Sequence, residues 1–133
     1  MHERSGSTNV VHLHGELLKV RSLYDEFDVQ AWTKDLNLGD TCIKGYQLRP
    51  HIVWFGEAVP MIEPAIRICE SADVLLIIGT SLQVYPAASL MHYAPQDIKI
   101  YYIDPKPAMD SNNHITVIAK TATVGVAEVV ALI

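Results

Sequence analysis

The chain has 133 residues, enough for one domain with a real core and too short for two comfortable ones. Half of it is apolar and 19% is charged, which excludes an intrinsically disordered chain. Ten Lys and Arg stand against 15 Asp and Glu, a net charge of −5, so the basic face that nucleic acid requires is missing. Two cysteines, Cys42 and Cys69, cannot build a disulfide framework and point to a reduced, cytoplasmic setting. The longest apolar stretch, Val74 to Ile78, is too short to span a bilayer, and no secretory leader follows Met1, so no membrane role is expected.

In chain order, residues 9–15 read Asn-Val-Val-His-Leu-His-Gly, a short β-like run stopped by Gly15. Over 16–47, Arg21, Asp25, Glu26, Asp28, Lys34 and Asp35 interrupt any long apolar face. That predicts an irregular insert with one or two short helices. Leu48 to Glu57 carries β-branched and aromatic residues up to a stop at Gly56. From Ala58, the residues Met61, Ile62, Ala65, Ile66, Cys69 and Ala72 recur at helical steps. Pro60 fits the first turn of that helix, and Pro64 bends or delays it. Val74 to Ile78 is an unbroken apolar run, as in a strand buried on both faces. Pro86 opens a second helical segment through Met91. Strands are expected at Ile98 to Ile103 and Ile115 to Ala119, an exposed turn around Met109 to Asn113, and a last helix from Val126 to Ile133. This order predicts an α/β fold, a partial Rossmann-like parallel sheet with helices on both faces. The alternative is an α+β domain with antiparallel strands.

Ligands of open parallel sheets bind beyond the carboxyl ends of the strands. Gly79-Thr80-Ser81 sits there: the glycine permits close approach and the hydroxyls can donate. Taken alone, the tripeptide reads first as a plain strand-to-helix turn with a capping serine. Asp104 ends the next strand, where a dinucleotide fold holds ribose hydroxyls, though a carboxylate before Pro105 is also an ordinary turn residue. No full Gly-x-Gly-x-x-Gly element occurs in the chain.

Three blocks taken jointly say more. They are His2-Glu3-Arg4-Ser5-Gly6-Ser7 leading to Val11-His12-Leu13-His14-Gly15, then Leu48-Arg49-Pro50-His51-Ile52-Val53-Trp54-Phe55-Gly56-Glu57, then Ile78-Gly79-Thr80-Ser81-Leu82-Gln83-Val84-Tyr85-Pro86-Ala87. Their order and spacing resemble the sirtuins of bacterial type, NAD-dependent protein-lysine deacylases. The likeness runs from residue 2 to the end and is weakest over 16–47 and 108–121.

The resemblance implies NAD as cofactor and an acyl-lysine protein or peptide as partner. It implies that His2 is the general base, an imidazole suited to taking a ribose proton near neutral pH. It implies that Val53, Trp54, Phe55, Gly56 and Glu57 bind the substrate, with the peptide added as a strand beside Ile52 to Glu57 and the acyl-lysine lined by Val53 and Phe55. It implies cofactor contacts at Gly79, Thr80, Ser81, Asp104, Pro105 and Lys106, and at the backbone of Val126. Asp104 departs from the family's Asn, keeping an acceptor and losing a donor.

Family members often carry Cys-x-x-Cys twice in the insert, a tetrahedral zinc site. Here Ser22 and Asp25 stand at the first pair and Cys42 is alone, so no zinc is expected and Tyr24, Phe27, Trp32 and Leu36 are the candidate insert core. His12 and His14 would share a strand face without a third ligand, so both are expected to be structural. The likeness is to the second half of a sirtuin. Residues 1–15 and 46–133 would form the C-terminal half of a Rossmann-like NAD-binding domain, and 16–45 a reduced small-domain insert. Weak or no turnover by the chain alone is expected, and a homo-oligomer through an exposed sheet edge.

Overall fold

The computed structural model describes residues 2–133, and the chain divides into two compact units, Met1–Met61 and Ile62–Ile133. Each is described by itself.

In the first unit, a 3₁₀ turn at Glu3–Ser5 precedes three strands: β1 (Gly15–Ser22), β2 (Val29–Ala31) and β3 (Leu48–Ile52). They form an antiparallel sheet in the order β2-β1-β3. Residues 16–47 therefore hold β1 and β2 rather than short helices. Of the charged residues that spoil a helical face, Arg21 lies on β1, and Asp25, Glu26, Asp28, Lys34 and Asp35 lie in the turns and loops beside the strands. Residues 9–14 are not a strand; pairing begins at Gly15, opposite Ile52. Gly15 lies at φ +85°, and a Cβ there would come 2.1 Å from the His51 carbonyl oxygen, so only glycine lets β1 and β3 approach. Leu48–Ile52 pairs antiparallel with β1 and is an edge strand of this sheet, a position where Pro50 is tolerated.

The core of this unit is small: Val20, Cys42 and Leu48, with Trp32 and Leu36 against them. Tyr24 and Phe27 are not in it, being 71% and 87% exposed.

The second unit contains α1 (Ile62–Glu70), β4 (Val74–Ile78), a 3₁₀ helix (Ala87–Tyr93), β5 (Lys99–Ile103), β6 (Ile115–Ile118) and α2 (Ala122–Val130). The sheet is parallel, in the order β4-β5-β6. α1 starts four residues later than the apolar stripe, which leaves Pro64 in its first turn, where a missing N–H costs nothing. The last helix also begins earlier than expected, at Ala122.

Alternation along β5 builds two cores. Ile100 and Tyr102 face one side with Ile115, Leu75, Ile77 and Met91. Tyr101 and Ile103 face the other with Val129, Val126, Leu76 and Ile118. Helical segments thus cover both faces, as expected for an α/β layer structure. Gly125 brings α2 close: a Cβ there would meet the Ile103 Cγ2 at 2.5 Å.

Candidate functional site

In the first unit, His2 precedes the 3₁₀ turn and is exposed. Its carbonyl accepts hydrogen bonds from the Ser5 amide (3.0 Å), the Ser7 amide (3.1 Å) and the Ser5 hydroxyl (2.8 Å). The Glu3 carboxylate lies 2.6 Å from the His12 Nε2. Its own backbone amide, and after it His12, draw the Glu3 pKa below the ordinary carboxylate range. His12 and His14 flank a turn rather than sharing a strand face: the Gly15 amide donates to the His12 carbonyl at 3.2 Å.

β3 ends at Ile52. Val53 donates its amide to the His14 carbonyl at 3.0 Å, and Trp54 to Glu57 form a turn closed by the Glu57 amide on the Trp54 carbonyl at 3.1 Å. The extended run expected over 52–57 is therefore short, with Gly56 at φ +87° reversing the chain. Phe55 protrudes at the tip, 94% exposed. The Glu57 carboxylate is engaged within the unit. It takes a bidentate pair from Arg49 at 2.6 and 3.1 Å and the Trp54 amide at 2.9 Å, with Arg21 at 3.8 Å. The Arg49 hydrogen bonds first, then the Trp54 amide, hold its pKa below the ordinary range. Glu57 thus shapes the turn that carries Phe55. Arg49, to which local sequence assigns no role, is its anchor.

A mostly apolar cavity of about 480 Å³ borders the same elements, with Val53, Ile52, Leu13, Val29, Met61 and His51 among its lining. Burial, and after it the Arg21 charge, lower the His51 pKa. Its Nδ1 is buried without a hydrogen-bond partner.

In the insert, the residues standing where zinc cysteines would fall do meet. The Ser22 hydroxyl accepts the Tyr24 and Asp25 amides at 3.1 and 3.4 Å and the Cys42 thiol at 3.7 Å. The second turn closes through the Gly45 amide on the Cys42 carbonyl at 2.8 Å. Lys44 reaches Asp25 at 3.3 Å, and the Tyr24 and Tyr46 rings stack at 4.3 Å. Two facing turns are stapled by hydrogen bonds, an ion pair and an aromatic stack. Among the described residues, no group of three or more His, Cys, Asp or Glu could hold a metal ion.

In the second unit, the carboxyl ends of β4 and β5 bring together Gly79, Thr80, Ser81, Asp104, Pro105 and Lys106. Gly79 is at φ +64°, with open space where a side chain would be, so a ligand can approach its backbone. Thr80 and Ser81 are exposed. Leu82 is, among the described residues, the non-glycine residue at positive φ, +55°, a strained position of the kind that clusters at ligand sites. One oxygen of Asp104, Oδ1, takes the Lys106 amide at 2.7 Å, which leaves Oδ2 available. Val126 lies inside α2 with its side chain against the Tyr101–Ile103–Val129 cluster.

Tyr102 organises both loops. Its ring is 0% exposed, and its hydroxyl donates to the Thr80 carbonyl at 2.8 Å while accepting the Ala108 amide at 3.1 Å. Its place on an apolar strand gave no cue beyond a phenol needing a partner.

The family model described as Sir2 family matches residues 1–86. This chain belongs to the Sir2 family. It is 61% identical over 106 residues to an NAD-dependent protein deacylase of Helicobacter pylori, covering 80% of this chain and 46% of that protein. It is 50% identical over 135 residues to an NAD-dependent protein deacylase of Bacteroides thetaiotaomicron, covering 96% of this chain and 58% of that protein. The chain thus spans about half the length of the curated relatives it matches. Among solved structures, a Sir2 homologue in complex with NAD matches with a TM-score of 0.79 at 34% identity, over 98% of this chain and 53% of that one. A Sir2 homologue bound to ADP-ribose matches at 0.81 and 34%, over 98% and 55%. The Rossmann-like α/β class is that of these Sir2 structures. No helix among the described residues is long and apolar enough to cross a membrane.

Proposed function

We propose that this Sir2 chain carries part of the active site of an NAD-dependent protein-lysine deacylase, which releases nicotinamide and O-acyl-ADP-ribose. One observation carries the reading: 50–61% identity to relatives named for that activity. Ile62–Ile133 then belongs to the C-terminal half, residues 1–15 and 46–133, of the Rossmann-like NAD-binding domain. The open space over Gly79 and the free Asp104 oxygen suit a nucleotide. Gly79, Thr80 and Ser81 would face its phosphates or ribose, Asp104 with Pro105 and Lys106 its adenine ribose, and the α2 backbone near Val126 its adenine. NAD supplies the ribose carbon from which nicotinamide departs. His2 takes a ribose proton at an imidazole nitrogen. Val53 and Phe55 line the acyl-lysine, with Trp54 and Gly56 beside the peptide and Glu57 holding their turn. The Phe55 and Gly56 amides donate to no group among the described residues, which leaves them for a peptide backbone. The setting is cytoplasmic.

The test is a chimera in which residues 2–133 replace the matching half of the Helicobacter relative. Nicotinamide release should depend on an acetyl-lysine peptide and fall about 10²–10⁴-fold with His2→Ala. A folded chimera whose turnover survives His2→Ala, or that never releases nicotinamide, overturns the reading. The 133-residue chain alone should turn over little, because it holds no Gly-x-Gly-x-x-Gly element for the phosphates.

The apolar edge of β4 favours a second reading, a non-catalytic fragment that binds nucleotide weakly and self-associates. One side of Val74–Ile78 pairs with no strand among the described residues. A homo-oligomer through that edge should appear in light scattering at micromolar concentration, and a monomer there rejects it. Titration calorimetry with NAD separates weak binding from none.

A further inference from the structure

The turn His12–Gly15 touches both halves of the site in the first unit. Its His14 carbonyl takes the Val53 amide at 3.0 Å, which fixes the start of the substrate segment. Its His12 side chain takes the Glu3 carboxylate at 2.6 Å, on the residue next to His2. Gly15 closes the turn and is pinned against β3 by a contact that admits no Cβ. The turn is therefore a rigid bracket with one arm on Val53 and the other on the base-bearing 3₁₀ turn.

Two carboxylates compete for His12, and geometry decides between them. Glu16 lies 3.8 Å from the Nε2, and its Oε1 is already held by Lys19 at 2.7 Å. Glu3 is 1.2 Å nearer (3.8 against 2.6 Å) and pairs with no other side chain among the described residues. The three-residue turn Glu3–Ser5 has no buried residue, and its own bonds all return to His2 and Glu3. Among the described residues, Glu3 is the side chain of this turn that forms an ion pair or hydrogen bond with the rest of the unit, through His12. A 3₁₀ turn this short does not hold its place by itself.

We propose that His12 is a positioning residue: through Glu3 it fixes where His2 stands relative to the substrate segment beginning at Val53. This rests on the reading of His2 as base. A base must stay within hydrogen-bond reach of the proton it takes, and a loss of placement by about 1 Å can cost about 10²-fold in rate. His12 touches no reacting atom in this account; it sets the register of the residue that does.

The experiment uses the 133-residue chain and reads order, not turnover. Backbone ¹⁵N relaxation should give residues 3–7 order parameters near 0.85 in the unaltered chain. In His12→Ala they should fall below about 0.6, and the His2 ring signals should move to the values of an unstructured peptide. Glu3→Ala, at an exposed position, should do the same with an unchanged urea midpoint. His12→Gln, which keeps a donor for Glu3, should restore the order. The pair Glu3→Lys with His12→Glu should recover what each single change loses. Unchanged order in Glu3→Ala, or no recovery in the swapped pair, overturns the proposal. A chimera that fails to release nicotinamide would sink the reading of His2 and leave this measurement standing, so the two failures are distinguishable.

Discussion

The two units reach order by different physics. Ile62–Ile133 buries apolar side chains on both faces of a parallel sheet, and Tyr102, Ile103 and Val129 lose essentially all contact with water. Met1–Met61 has a three-residue buried core and leaves Leu17, Leu18, Phe27, Leu38 and Ile43 largely exposed. It relies on directed contacts: the Gly15 approach, the Arg49–Glu57 fork and the Ser22–Cys42 staple. The lesson is that the first unit should break at single contacts and the second by loss of volume.

Gly15→Ala is the sharpest way to break the first unit. Left-handed strain and overlap with the His51 carbonyl should together cost about 4 kcal/mol. The urea transition followed by tryptophan fluorescence reports this unit, since both tryptophans, Trp32 and Trp54, lie in it. Ile103→Ala is the counterpart in the second unit, expected to cost about 3 kcal/mol through lost burial and a cavity. Amide exchange of β4, β5 and β6 measures it. An equal cost from Cys42→Ala would erase the contrast, because that core has little volume to lose.

Smaller effects refine the comparison. Tyr102→Phe keeps the volume and removes two hydrogen bonds, at about 1–2 kcal/mol, with exchange rising at Ala108. Ser22→Ala should cost about 1 kcal/mol by releasing the Cys42 staple, while a chelator leaves the unfolding midpoint unchanged.

pH should act on the first unit. Burial holds His51 below its ordinary value of 6.5, so the unfolded chain binds the proton more readily. Stability is then full above about 6.5 and falls as pH drops toward the folded-state value. Glu57 sits below its ordinary 4.5, so its share is present above that pH and is lost at still lower pH. The order of the two losses in an acid titration by tryptophan fluorescence checks this. His51→Gln should remove the earlier one and Arg49→Met should raise the Glu57 titration midpoint.

This contrast also explains what could be read in the sequence. Val74–Ile78 and Ile98–Ile103 announce themselves, because strands buried on both faces are continuous apolar runs. β1 does not: its exposed Leu17 and Leu18 adjoin each other, and the chain alternates poorly. Leu48–Ile52 was legible as a strand, but its partner was not, since pairing with β1 depends on the φ of Gly15 and not on local composition. Of the site, the motif blocks marked His2, the Val53–Glu57 turn and the Gly79 loop through family resemblance. The partners of Arg49, His12 and Tyr102 were silent, because each lies between 6 and 22 residues away.

The Tyr102 hydroxyl has one more consequence. A single oxygen ties the Thr80 carbonyl to the Ala108 amide, so the loops leaving β4 and β5 cannot wander independently. Their ordering entropy is settled when the sheet forms, and any guest at one loop would meet the other already in place.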